Sequence, residues 1–193
     1  FPELKVQFFN RAWGGDGMTS SPAGSLDTRL ARDVFPLAPT VIVAMFGMND
    51  GGARPFDAKV FEAYQQGIEH LVRAVQNELP ATRLTLLEPS PFDAVTRPPG
   101  IDSGDNVMLV RQGEYLRAFA VRNGLVTADL NAPVVAALVE AARIDPVGAQ
   151  DMIPDRVHPE VGAHLIMAAA LLRAWNFPRT VSRLGIDLAT QQF

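Results

Sequence analysis

The chain has 193 residues, 48% of them hydrophobic, and a mean hydropathy of +0.08, enough apolar material for one globular domain with a sizeable core. A formal net charge of −4 without runs of like charge gives no reason to expect nucleic acid or an anionic membrane as partner. The absence of cysteine excludes disulfides, thiolate catalysis and cysteine-based zinc sites, and no apolar run is long enough to cross a bilayer.

Phe1–Leu4 reads as the end of a helix and its turn, and Lys5–Asn10 as a strand. The chain thus starts inside a fold, so a processed or truncated terminus is expected. Any export signal would lie upstream of Phe1, which keeps a secreted or periplasmic location open. Arg11–Ser25, carrying Gly14, Gly15, Gly17 and Gly24 with almost no apolar periodicity, reads as a loop, and Leu26–Val34 as a short amphipathic helix.

Val41–Phe46 is a continuous apolar run between Pro39 and Gly47, the pattern of a strand buried on both faces. In Phe56–Leu79 the residues Phe56, Val60, Tyr64, Ile68, Leu71, Val75 and Leu79 recur at three- and four-residue spacing, which predicts a long amphipathic helix. A buried strand at Arg83–Leu87 precedes a Pro- and Gly-bearing loop, Pro89–Gly104, expected to shape a pocket rim. A helix at Asn106–Arg122, a strand at Leu125–Ala128 and a helix at Pro133–Ala142 follow. Val161–Trp175, rich in Ala and Leu on most faces, is expected to pack deeply, with Trp175 in the core, and Val181–Leu188 reads as an edge strand or as the start of a further element cut away.

Strands alternating with long helices predict a single α/β domain over residues 1–193, its parallel sheet covered on both sides. Sites in such sheets lie at the carboxyl ends of strands, which singles out the loop after Asn10, the loop after Phe46 and the loop carrying Asp155 and His158. An Asp three residues before a His, between Pro154 and Pro159, can turn its carboxylate onto the Nδ1 proton and leave Nε2 to accept a proton from a hydroxyl. The same residues also suit a plain surface turn. Asn49, directly after a buried strand, can aim its amide into a site, although Asn49-Asp50-Gly51 is also turn chemistry. Gly14 and Gly15 allow a backbone N–H to approach a substrate closely.

Together these three segments resemble the SGNH/GDSL hydrolases, a family of esterases, lysophospholipases and thioesterases on a flavodoxin-like three-layer α/β/α fold. Asn10–Asp16 is similar to the family's second block, which implies an oxyanion-hole N–H at Gly15, or alternatively Gly14. Gly47-Met48-Asn49-Asp50 matches the Gly-x-Asn-Asp of the third block, implying Asn49 as a second oxyanion donor. Asp155-Arg156-Val157-His158-Pro159 matches the fifth block, implying Asp155 and His158 as triad members. The resemblance implies a small-molecule ester substrate and neither cofactor nor metal, and it leaves oligomeric state open.

The family's Gly-Asp-Ser block, which precedes the second block, has no counterpart here. Ser20, Ser21, Ser25, Ser90, Ser103 and Ser182 are all misplaced for the nucleophile, so the serine and its strand are expected upstream of Phe1 and the chain by itself is expected to turn over almost nothing. Two other readings use the same residues: a non-catalytic ligand- or carbohydrate-binding relative, and a metal-dependent hydrolase built on Asp155, His158 and His164. His164 itself reads as a structural residue on a packed helix, His70 as solvent-facing, Asp16 and Asp50 as caps of their own loops, and Asp93 and Asp129 as loop and strand ends. Trp13 lines a pocket or packs on the sheet edge.

Overall fold

The structure, a computed structural model, describes residues 5–52, 54–100, 106–178 and 180. Three apolar runs pair as a wholly parallel sheet in the order β1 (Val41–Met45), β2 (Arg83–Leu87), β3 (Val126–Ala128). Val41 stands opposite Arg83 and Met45 opposite Leu87; Thr85 stands opposite Val126 and Leu87 opposite Ala128. Parallel neighbours require long crossovers, and helices supply them.

The first crossover is α2 (Ala58–Glu78). It begins where the Asp57 carboxylate accepts the N–H groups of Lys59 and Val60, and buries the stripe Tyr64, Ile68, Leu71, Val72 and Val75. The second is α3 (Val107–Asn123), stopped by Gly124 at φ +62°. Before the sheet, α1 (Leu26–Arg29) continues through a π-turn at Leu30–Val34. After it come α4 (Ala132–Ile144) and α5 (Val161–Ala174).

Alternation along the strands splits the core into two layers. Leu84 and Leu86 pack with Ile68, Leu71 and Val75 of α2 and with Leu116 and Phe119 of α3. On the other face Ala128 and Leu87 meet Val134 and Leu138 of α4, Ile153, and Ala163, Met167 and Ala170 of α5. Thr85 also faces that side and accepts a hydrogen bond from Trp175 Nε1 at 2.9 Å. Helices on both faces of a parallel sheet make the expected α/β/α sandwich.

Four expectations need correction. Lys5–Asn10 forms no strand: its apolar residues satisfy the pattern but find no ladder partner, and Val6, Phe8 and Phe9 are exposed. Among the described residues β1 ends the sheet and is covered on one face only: Ile42 and Ala44 pack against the core layer of α2, whereas Val43 and Met45 point the other way and are exposed. α5 does not pack deeply on most faces: Ala163, Met167 and Ala170 form one buried stripe, whereas Val161, Leu165 and Leu172 face out. Trp175 lies past the helix end and is half-buried rather than core. Phe1–Leu4, the last part of the Pro89–Gly104 loop and the Val181–Leu188 tail fall outside the described residues.

Candidate active site

The acid–base pair forms in the loop before α5. Asp155 Oδ2 lies 2.5 Å from His158 Nδ1, and Asp155 Oδ1 accepts the N–H groups of Val157 at 2.9 Å and His158 at 2.8 Å. One carboxylate therefore both folds the turn and orients the ring, fixing the proton on Nδ1 and leaving Nε2 as acceptor. Nε2 has no hydrogen-bond partner among the described residues, and the side chains are exposed, 82% for His158 and 56% for Asp155. The hydrogen bond from His158, followed by the two backbone N–H groups, holds the Asp155 carboxyl well below the usual carboxylate range, so it remains an anion wherever an imidazolium forms beside it.

The oxyanion candidates come together around the turn that follows β1. Gly47, at φ +135°, starts a tight 3-10 turn, Met48–Asp50. An added Cβ there would sit 2.6 Å from Gln112 Oε1 and 3.0 Å from Pro89, so only glycine fits. The turn projects Asn49, whose Nδ2 donates to the Asp16 carbonyl at 2.9 Å. Gly15, at φ +85°, is the residue before, in a turn closed by Asp16 N–H to the Trp13 carbonyl. Asn49 and the Gly15–Asp16 segment are therefore neighbours. An amide nitrogen carries two hydrogens, so one remains for a ligand.

Asp50 joins these two loops, a wider role than capping its own. Its buried Oδ1 accepts Met18 N–H at 2.6 Å and Thr19 N–H at 3.3 Å, while Oδ2 has no partner among the described residues. Burial pushes the Asp50 carboxyl up, against the pull of the Thr19 and Met18 N–H groups. Asp16 holds Ser21 Oγ in its own loop, as expected, and pairs in addition with Arg29 of α1.

Both regions sit at the carboxyl edge of the sheet: the Gly47 turn leaves β1, and residues 88–100 leave β2 and bond to the Asp155 loop. No hydrogen bond among the described residues links His158 or Asp155 to Gly15 or Asn49. Other candidates go elsewhere. His164 is exposed, not packed, because the buried stripe of α5 runs through Ala163 and Met167. His70 is half exposed and pairs with Asp27 at 2.6 Å, joining α2 to α1. Trp13 is largely exposed. Among the described residues, no group of three His, Asp or Glu side chains converges on a metal-binding geometry.

The sequence reading missed Glu88, at the end of β2. It is 2% exposed, paired with Arg117, and pushed up to about 7 by burial and then by the Asp129 carboxylate, against the pull of Arg117. Apolar runs mark strand cores, and nothing in that signal says that the next carboxylate stays buried. Asp93 was likewise read only as a loop end. It is fully buried and ties its loop by accepting the N–H groups of Val95 and Thr96.

The model of the GDSL-like lipase/acylhydrolase family matches residues 2–165. Among solved structures, a gut microbial diltiazem-metabolizing enzyme is 33% identical with a TM-score of 0.66, over 85% of this chain and 38% of that one. The acetylxylan esterase Axe2 from Geobacillus stearothermophilus is 23% identical, TM-score 0.63, over 88% of this chain and 72% of its own. A protein described as GDSL-like lipase from Parabacteroides merdae is 20% identical, TM-score 0.65, over 85% of this chain and 70% of its own. No curated protein matches. The chain thus spans well under half of the diltiazem-metabolizing enzyme and about seven-tenths of the other two. A match running from Pro2 to Leu165 takes in the Gly15 loop, the Asn49 turn and the Asp155–His158 loop alike, and the chain belongs to the GDSL-like lipase/acylhydrolase family.

Proposed function

We propose that this chain carries the base, its orienting acid and two oxyanion donors of a serine carboxylic ester hydrolase. The observation that carries the reading is the 2.5 Å contact between Asp155 Oδ2 and His158 Nδ1, with Nε2 open to solvent. In the reaction, His158 Nε2 takes the proton of a serine hydroxyl as its oxygen attacks the ester carbonyl carbon, and Asp155 stabilises the imidazolium. The Gly15 N–H and the free hydrogen of Asn49 Nδ2 bind the tetrahedral oxyanion. His158 then protonates the departing alcohol, and water, activated the same way, releases the acid.

The serine in this reading comes from a strand and loop upstream of Phe1. The outer edge of β1 has no partner among the described residues, and the exposed Val43 and Met45 beside it support room for one more strand. A catalytic mutant of Axe2, one of its structural neighbours, carries alanine in place of a serine, which also favours a serine nucleophile.

The test is ester hydrolysis by the chain extended upstream through its natural reading frame. Acetylated xylan and diltiazem, named for its neighbours, are the first substrates to assay. Asn49→Ala in that protein is expected to lower kcat by about 10²–10³. An unchanged kcat removes Asn49 from the mechanism. An upstream reading frame without a strand ending in Gly-Asp-Ser favours the non-catalytic relative.

A further inference from the structure

Ile153–His158 belongs to no strand or helix. Its own backbone closes through Arg156 N–H to the Ile153 carbonyl at 3.0 Å, and Glu160 N–H to the Met152 carbonyl at 2.9 Å seals the base of the loop. Residues 93–98, in the loop after β2, share hydrogen bonds with it in both directions. Asp93 gives its N–H to the Arg156 carbonyl at 2.8 Å, and Arg156 Nε returns a bond to the Asp93 carbonyl at 2.8 Å. A second nitrogen of Arg156 donates to the Pro98 carbonyl at 2.9 Å, and its guanidinium lies 4.9 Å from the centre of the Phe92 ring. In the opposite direction, Arg97 donates to the Ile153 carbonyl at 3.3 Å and to the Pro154 carbonyl at 2.8 Å. Each loop sends one arginine into the carbonyls of the other.

Two details show that this arrangement is specified. Asp93, fully buried, folds its loop through Val95 and Thr96 and lies 3.7 Å from the Arg97 guanidinium, so its side chain braces the same loop that its backbone joins to Arg156. Arg156 adopts φ +72°, a left-handed conformation that a branched or long side chain takes only when its surroundings fix it. Its neighbours Asp155 and Val157 are the residues that build the turn around His158.

We propose that Arg97 and Arg156 form a two-way clamp that positions the Asp155–His158 pair, so that the rim loop after β2 sets where the base stands. They are positioning residues, neither touching the reacting atoms. The catalytic meaning of the clamp rests on His158 being the base, but its geometry is measurable without turnover.

The experiment is NMR on the chain extended upstream through its natural reading frame, comparing Arg97→Ala with the unchanged protein in two readouts: amide exchange of Val157 and His158, and titration of the Asp155 carboxyl carbon. Losing both Arg97 bonds is expected to speed the two amides about 10-fold and to move the Asp155 titration up toward the ordinary carboxylate range. Amides of α2 and β2 stay as they were. Unchanged exchange and unchanged Asp155 titration overturn the clamp. If Arg97→Ala does not fold, Arg97→Met carries the same readouts; it keeps the apolar stem and removes every donor to the Ile153 and Pro154 carbonyls, so unchanged values for that variant also overturn it. Neither readout involves ester cleavage. A failed esterase assay leaves the clamp standing, and a failed clamp leaves the assay standing.

Discussion

The acid–base loop and the oxyanion turn are built by opposite means. The Asp155–His158 pair stands in solvent, held by hydrogen bonds that one carboxylate accepts within the loop and by two arginines that tie it to the loop after β2. The Gly47–Gly52 turn is held by shape: a glycine that no side chain could replace, and a buried Asp50 that grips the neighbouring loop with one oxygen. The difference teaches where function and stability part company. Damage to the first region should cost activity with little loss of fold, and damage to the second should cost both.

His158→Ala in the extended chain makes the sharpest division. Loss of the base is expected to lower kcat by at least about 10³-fold. Because the side chain is 82% exposed, the melting temperature should stay within about 2 °C. A large fall in melting temperature would show that the loop is structural after all, and the contrast would collapse.

Gly47→Ala probes the other side. The φ of +135° and the 2.6 Å approach to Gln112 Oε1 should destabilise the protein by about 2–4 kcal/mol, read by denaturant unfolding, before any effect on turnover is counted. A near-neutral result would mean that the turn can move, and Asn49 with it.

Glu88, where the rim loop leaves β2, gives the smallest effect and a definite sign. Its carboxyl titrates at its ordinary 4.5 when unfolded and at about 7 when folded, so between those values the folded protein binds more protons. Stability should therefore fall as pH rises through that window, by about 1–3 kcal/mol between pH 5 and pH 8. Glu88→Gln should flatten this slope. If the slope persists in the variant, another group causes it.

Much of this was legible because periodicity is local. The stripe from Tyr64 to Val75 and the apolar runs at Val41 and Arg83 fall where their spacing put them. The Asp155–His158 contact was legible for the same reason, since the partners stand three positions apart. What escaped depends on distance along the chain. Arg97 meets Pro154 across 57 residues, and Asp50 meets Met18 across 32. Neither pairing leaves a mark on the spacing of either segment. Exposure escaped as well: Val43, Leu165 and Lys5–Asn10 have the composition of buried elements, and burial depends on a neighbour that composition cannot supply.

The most direct test of the central claim, that His158 activates a serine supplied upstream, is intact mass after incubation with a fluorophosphonate probe. It would be run on this chain, on its upstream extension and on the extension carrying His158→Ala. The extension alone is expected to gain one probe mass, on a serine before Phe1, and His158→Ala to abolish the labelling. Labelling of this chain itself, or labelling of the extension that does not depend on His158, would contradict it.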